Sequence, residues 1–180
     1  MKTKKPILMN QGHTNEIYTP EYAINPLIPF LNKYKIIWDC AYGKGHLAKA
    51  FNKKGFKCIG REELDFLNDG EYSEEWNKSE IMITNPPYSI KDKFLEKAYS
   101  LGKPFAFLMP LTALEGIKRG DLYNKFGIQL IIPNRRIDFI TPNGGKSAWF
   151  QVAWFCYKLN LPKDLMFIKL NKLQIKEKKE

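Results

Sequence analysis

Lys35-Ile36-Ile37-Trp38-Asp39 runs directly into Cys40-Ala41-Tyr42-Gly43-Lys44-Gly45, and how this stretch is read decides the fold. A short β-branched and aromatic run ending in an acid, then a loop with two glycines, then Leu47, Ala50 and Phe51 at helical spacing, reads as strand, turn and helix. The alternation recurs. Residues 57–60, 81–84 and 105–111 are further strand candidates, and Phe94, Leu95 and Ala98 keep helical spacing ahead of the last of them. Strand and helix in repeated alternation predict an α/β fold with a buried parallel sheet. After a helix expected over 114–126 the pattern changes, because 128–133, 136–140 and 148–158 follow as strand candidates without a helix between them. Asn143-Gly144-Gly145, lying between the last two, is a turn signal, so the sheet is expected to finish with a C-terminal antiparallel hairpin.

Composition narrows the classes of function. The 180 residues suit one domain, and 44% apolar content supplies a core, which excludes wholesale disorder. No run of about 18 apolar residues crosses a membrane, and the N-terminus does not read as a signal peptide. Cys40, Cys58, Cys156, His13 and His46 lie scattered, without the spacing of a structural zinc site or a disulfide framework, so no metal is expected. The net charge of +10 makes a polyanion a plausible partner, since Lys and Arg that neutralise phosphates release counterions. The expected organisation is an arm over 1–34, a core over 35–160, and an extension over 161–180 ending in a charged tail.

The two-glycine loop sits where the backbone can approach a ligand closely at a helix N-terminus, where free N–H groups favour an anionic group. Glu62, 23 residues after Asp39, closes the second strand, where an acid can bind the two hydroxyls of a ribose. The most specific signal is Asn85-Pro86-Pro87-Tyr88, directly after the strand over 81–84 and therefore at the carboxyl edge of the sheet. Two prolines remove two backbone donors and stiffen the chain, so the Asn85 side chain and nearby carbonyls present acceptors outward in fixed geometry. An exocyclic amine conjugated to a ring is a poor nucleophile; two acceptors holding its N–H bonds favour a pyramidal nitrogen with a localised lone pair. The Tyr88 ring offers a face for a planar, unstacked base.

The order Tyr18-Thr19-Pro20, Asp39-x-x-x-Gly43-x-Gly45, Asp65-Phe66-Leu67 and Asn85-Pro86-Pro87-Tyr88 resembles the small S-adenosylmethionine-dependent DNA adenine-N6 methyltransferases of bacteriophages and prophages. The resemblance covers residues 18–159. It implies a Rossmann-like class I methyltransferase sheet, with Asn85, Pro86, Pro87 and Tyr88 as the catalytic box. It further implies that Asp39, Ala41, Gly43 and Gly45 shape the methionine pocket, that Glu62 takes the ribose, and that Asp65 with Phe66 holds the cofactor's adenine. Thr19 and Pro20, with Tyr18, would reach over from the arm, and Asn85 would also border the cofactor. Two acids, Glu62 and Glu63, stand where the family has one, so either could meet the ribose.

The family also places a late aromatic on the second face of the flipped adenine; Phe139 is the candidate, with Trp149 and Phe150 as rivals. Arg135, Arg136, Lys146, Lys91 and Lys93 are expected to border the same edge and track phosphates, and His46 is expected on a helix surface. No stretch is left for a separate target-recognition domain, which implies a short or degenerate target. The partner is then DNA, in the cytoplasm of a bacterial cell or phage-infected host, with an RNA adenine methyltransferase or an inactive nucleic-acid-binding subunit as alternatives. Enzymes that methylate a protein glutamine share the box but carry a helical substrate domain for which 1–34 is too short.

Overall fold

The computed structural model describes residues 17–68, 73–140 and 150–170. Among these, strands β1 (Ile36–Trp38), β2 (Lys57–Ile59), β3 (Ile81–Thr84), β4 (Phe105–Pro110), β5 (Gln129–Pro133), β6 (Val152–Tyr157) and β7 (Leu165–Ile168) form one sheet. Its order is β2-β1-β3-β4-β6-β5-β7. Helices α1 (His46–Lys53), α2 (Ser73–Lys78), α3 (Lys91–Leu101) and α4 (Ile117–Phe126) cover its faces, with 3-10 turns at Glu21–Ile24, Ile28–Phe30, Tyr88–Ile90 and Leu111–Leu114.

Strands buried on both faces alternate between two cores. Ile37, Ile83, Leu108, Ile131 and Trp154 face α1 and the arm. Trp38, Met82, Phe105, Phe107, Leu130 and Phe155 face the side of α3 and α4. That near-continuous apolar character is what a sheet covered on both faces requires. β2, β1, β3 and β4 are parallel, as the strand and helix alternation predicts. The chain runs outward from β1 to β2 on one side and to β3 and β4 on the other. The ends of β1 and β3 therefore flank the crevice where open α/β sheets bind ligands.

The antiparallel end of the sheet differs in detail from the expectation. β6 pairs antiparallel with both β4 and β5, so the antiparallel part of the sheet is β4-β6-β5. Residues 136–140 do not form a strand of the sheet; they make one isolated antiparallel bridge, between Ile140 and Tyr18. Their charge pattern explains this: Arg136 and Asp138 point outward while Ile137 and Phe139 are buried, a one-sided segment that cannot occupy an interior strand. Val152–Tyr157 is apolar on both faces and takes the interior place. Asn143-Gly144-Gly145 lies outside the described residues. β7, which the hydropathy pattern did not suggest, adds parallel to β5 as an edge strand.

The arm is locked from both sides. The Trp154 indole N–H donates to the Ala23 carbonyl (3.0 Å), and the Asp138 N–H donates to the Tyr22 hydroxyl (2.7 Å).

Candidate active site

Two polar side chains at the carboxyl ends of adjacent strands tie the crevice together. The Thr84 hydroxyl, at the end of β3, donates to Asp39 Oδ1 (2.6 Å) just past β1, and Thr84 Oγ1 accepts the Ala41 N–H (3.1 Å). Both residues are buried. Burial raises the Asp39 carboxyl to about 7, although the bonds from Thr84 and the Ala41 N–H pull the other way. Because this lies above its ordinary 3.8, the folded chain holds the proton more tightly than the unfolded chain. The resulting stability is complete below about pH 4 and is lost as pH rises through 7. The Cys40 and Cys58 thiols are pushed up by burial and stay neutral across that window. Asp39→Asn keeps an acceptor for both donors and removes the titration. Wild type should lose up to about 4 kcal/mol relative to this variant between pH 4 and 8, measured by denaturant unfolding.

The glycine loop leads into α1, with Gly43 and Gly45 both left-handed (φ +51° and +71°). At Gly43 a Cβ would meet nothing, so its glycine is required by conformation alone. Close approach operates elsewhere. A Cβ at Gly45 would lie 2.8 Å from the Tyr42 hydroxyl oxygen, and one at Gly60 would lie 2.6 Å from both the Asp39 carbonyl and the Tyr42 ring. Tyr42 and Gly60 are thus site-shaping residues that pattern reading missed; the signal available was an aromatic inside the glycine loop.

Glu62 stands three residues beyond the end of β2, in the following loop, and is paired with Lys44 of the glycine loop. Both side chains are about half exposed (55% and 54%), so the pair is weakly held and the carboxylate can exchange partners. Glu63 is exposed. Asp65 accepts the Leu67 N–H (2.9 Å), and Phe66 is buried, 4.9 Å from Phe94 and 5.5 Å from Trp38 between ring centres. Tyr18 stacks on His46 at the start of α1 (4.4 Å, 16°), while Thr19 and Pro20 are buried. Thr19 lines a groove of about 570 Å³ with His46 and Lys49, on the α1 side rather than between the strand ends. The strand ends, not this groove, hold the convergent polar groups.

Asn85 follows β3, and its Oδ1 is buried with no hydrogen-bond partner. Pro86 is buried, and Pro87 is extended ahead of the turn at Tyr88–Ile90. The Tyr88 hydroxyl is also buried without a partner, and burial pushes its pKa well up. The Tyr88 ring meets Phe150 edge-on (5.5 Å, 72°). Topology brings them together: β6 is antiparallel to β4, so its start lies at the carboxyl edge where β3 ends. Phe139 is buried in the core on the arm side. Lys91 donates to the Tyr88 carbonyl (3.4 Å). Arg135 and Arg136 are exposed after β5, whose end lies at the same edge, and Lys93 is exposed on α3. Trp149 and Lys146 lie outside the described residues. Tyr88→Phe should raise unfolding stability by about 1 kcal/mol, because it deletes a buried unsatisfied hydroxyl; a thermal melt measures this.

Among the described residues no cluster of three or more His, Cys, Asp or Glu could hold a metal, and no helix is long and apolar enough to cross a membrane. No protein-family model and no curated protein sequence matches the chain. Solved structures do. One is a protein of Listeria monocytogenes assigned to the class I S-adenosylmethionine-dependent methyltransferases. It is similar at a TM-score of 0.52 and 14% identity, over 91% of this chain and 69% of that one. Another is the M protein of the type I restriction enzyme EcoKI, at a TM-score of 0.45 and 16% identity, over 80% of this chain and 44% of that one. The fold is therefore the Rossmann-like sheet of the class I S-adenosylmethionine-dependent methyltransferases.

Proposed function

We propose that this chain transfers a methyl group from S-adenosylmethionine to the exocyclic N6 amine of adenine in DNA, with little sequence specificity. The observation that carries this is the buried, unpartnered Asn85 Oδ1 at the carboxyl end of β3, beside the crevice between β1 and β3. A buried acceptor without a partner is costly, and such groups persist where a ligand completes them. An amine donor completes this one.

Bound at the crevice, S-adenosylmethionine supplies an electrophilic methyl group on a sulfonium. The residues present fit it: the Asp39–Gly45 loop for the methionine portion, Glu62 for the ribose hydroxyls by exchange with Lys44, and Asp65 for the adenine edge. Phe66 is too buried to offer more than its backbone. Asn85 Oδ1 accepts one N–H of the target amine and localises the nitrogen lone pair, and no general base is needed before attack. Tyr88 stacks on the target base. Phe150, already against Tyr88, is better placed than the buried Phe139 to close the other face. Lys91, Lys93, Arg135 and Arg136 track phosphates along the same edge.

The test is incubation with methyl-labelled S-adenosylmethionine and, separately, duplex DNA, single-stranded DNA, RNA and protein. Label in DNA at N6-methyladenine, spread over many sequence contexts, is the expected result. Label confined to RNA, or none, overturns it.

A further inference from the structure

We infer that residues 111–118, the 3-10 turn Leu111–Leu114 running into the start of α4, form an apolar wedge that enters duplex DNA beside the base drawn into the site, an inference that rests on the function proposed above. The segment exposes two large aliphatic side chains, Leu114 at 43% and Ile117 at 86%. It follows β4, the neighbour of the strand that carries Asn85. The Leu111 N–H donates to the Gln151 carbonyl (3.0 Å), and Gln151 adjoins Phe150, whose ring meets Tyr88. The segment is therefore anchored at Leu111 to the residue that follows Phe150.

It is also held stiffly. The Ala113 carbonyl accepts from Arg119 Nε and from the Tyr123 hydroxyl, each at 2.9 Å, and Ala113 itself is fully buried. Arg119 further donates to the Glu115 carbonyl and pairs with Asp92, four residues beyond Tyr88. Gly116 is left-handed (φ +111°), and a Cβ there would lie 2.6 Å from Arg119 Nη2. Arg119 thus braces this segment against the one that carries Tyr88, while Ile117 stays almost fully exposed and Leu114 partly so.

An adenine amine inside a duplex is reached only after the base leaves the stack, and the gap it leaves favours re-stacking. Aliphatic side chains inserted at a base step hold such a gap open. Lys118 beside Ile117, and Lys91 and Lys93 across the Asp92 contact, provide the positive charge for the adjoining phosphates. Leu114 adjoins the exposed Glu115 and Ile117 adjoins Lys118, so the positive charge at the tip lies on the Ile117 side.

The test compares wild type with Leu114→Ala/Ile117→Ala on one adenine-containing sequence in three forms: duplex, single strand, and duplex mismatched opposite its adenines. The substitutions are exposed, and a thermal melt should show stability unchanged. The expected result is at least a ~10-fold loss of kcat/KM on the matched duplex, with single-strand and mismatched activity within about two-fold of wild type. Equal losses on all three forms, or no loss on the matched duplex, overturn the wedge. Absence of methyl transfer by wild type to any of the three removes the proposed function itself, and the wedge with it.

Discussion

Asn85→Ala should cut methyl transfer at saturating S-adenosylmethionine by at least ~100-fold, the scale of one preorganised polar contact aimed at the reacting group. The same substitution should leave folding stability equal to wild type or slightly above it. Asn85 Oδ1 is buried and unpartnered, so its removal takes away a desolvated acceptor and no intramolecular bond. Loss of activity with retained or increased stability separates a group poised for substrate from one that holds the fold. Asn85→Asp keeps an acceptor oxygen at the same place and should recover part of the loss. Cofactor affinity, measured by calorimetry, should stay within a few-fold of wild type for Asn85→Ala. Turnover within ten-fold of wild type would place the amine acceptor elsewhere.

Trp154→Ala should destabilise the protein by about 3–5 kcal/mol, the range for removing a large buried aromatic. Total stabilities of single domains are commonly about 5–15 kcal/mol, so most of the folding margin is at stake. Trp154 is fully buried in the middle of β6, and its indole N–H holds the Ala23 carbonyl of the arm. Two effects therefore combine, a cavity in the sheet and an arm carbonyl left without its donor. Trp154→Phe fills much of the cavity but cannot donate, and should cost roughly half as much. Urea titration of the three proteins tests this. Equal losses for Phe and Ala would assign the whole effect to the hydrogen bond.

The parallel half of the sheet was legible in the sequence because both of its signals are local. Ile36–Trp38, Ile81–Thr84 and Phe105–Pro110 are short apolar runs, each followed or preceded by helical spacing, and they became β1, β3 and β4. Asn85-Pro86-Pro87-Tyr88 stood out for the same reason, since prolines and an adjacent strand determine its backbone without help from distant residues. The place of β6 was not legible. Val152–Tyr157 reads as a strand, but which strands flank it depends on pairing with Phe105–Pro110 and Gln129–Ile131, and such pairings depend on long-range burial rather than on local sequence. The segment over 136–140 illustrates the converse: its alternation reads as a strand, yet it serves as a brace for Tyr18 and Tyr22, because the interior place went to the segment apolar on both faces.

In the site, the sequence by itself determined which residue types could hold a cofactor and an amine, because Asp39 and Asn85 directly follow strands and the glycines and Glu62 lie in the loops just beyond them. Tertiary structure alone decided their states. Asp39 is buried against Thr84 and raised to about 7, Tyr42 packs over Gly45 and Gly60, and Phe150 rather than Phe139 meets Tyr88. Burial, a raised pKa and a ring contact all depend on what other chain segments bring alongside, and no neighbouring residue in the sequence carries that information.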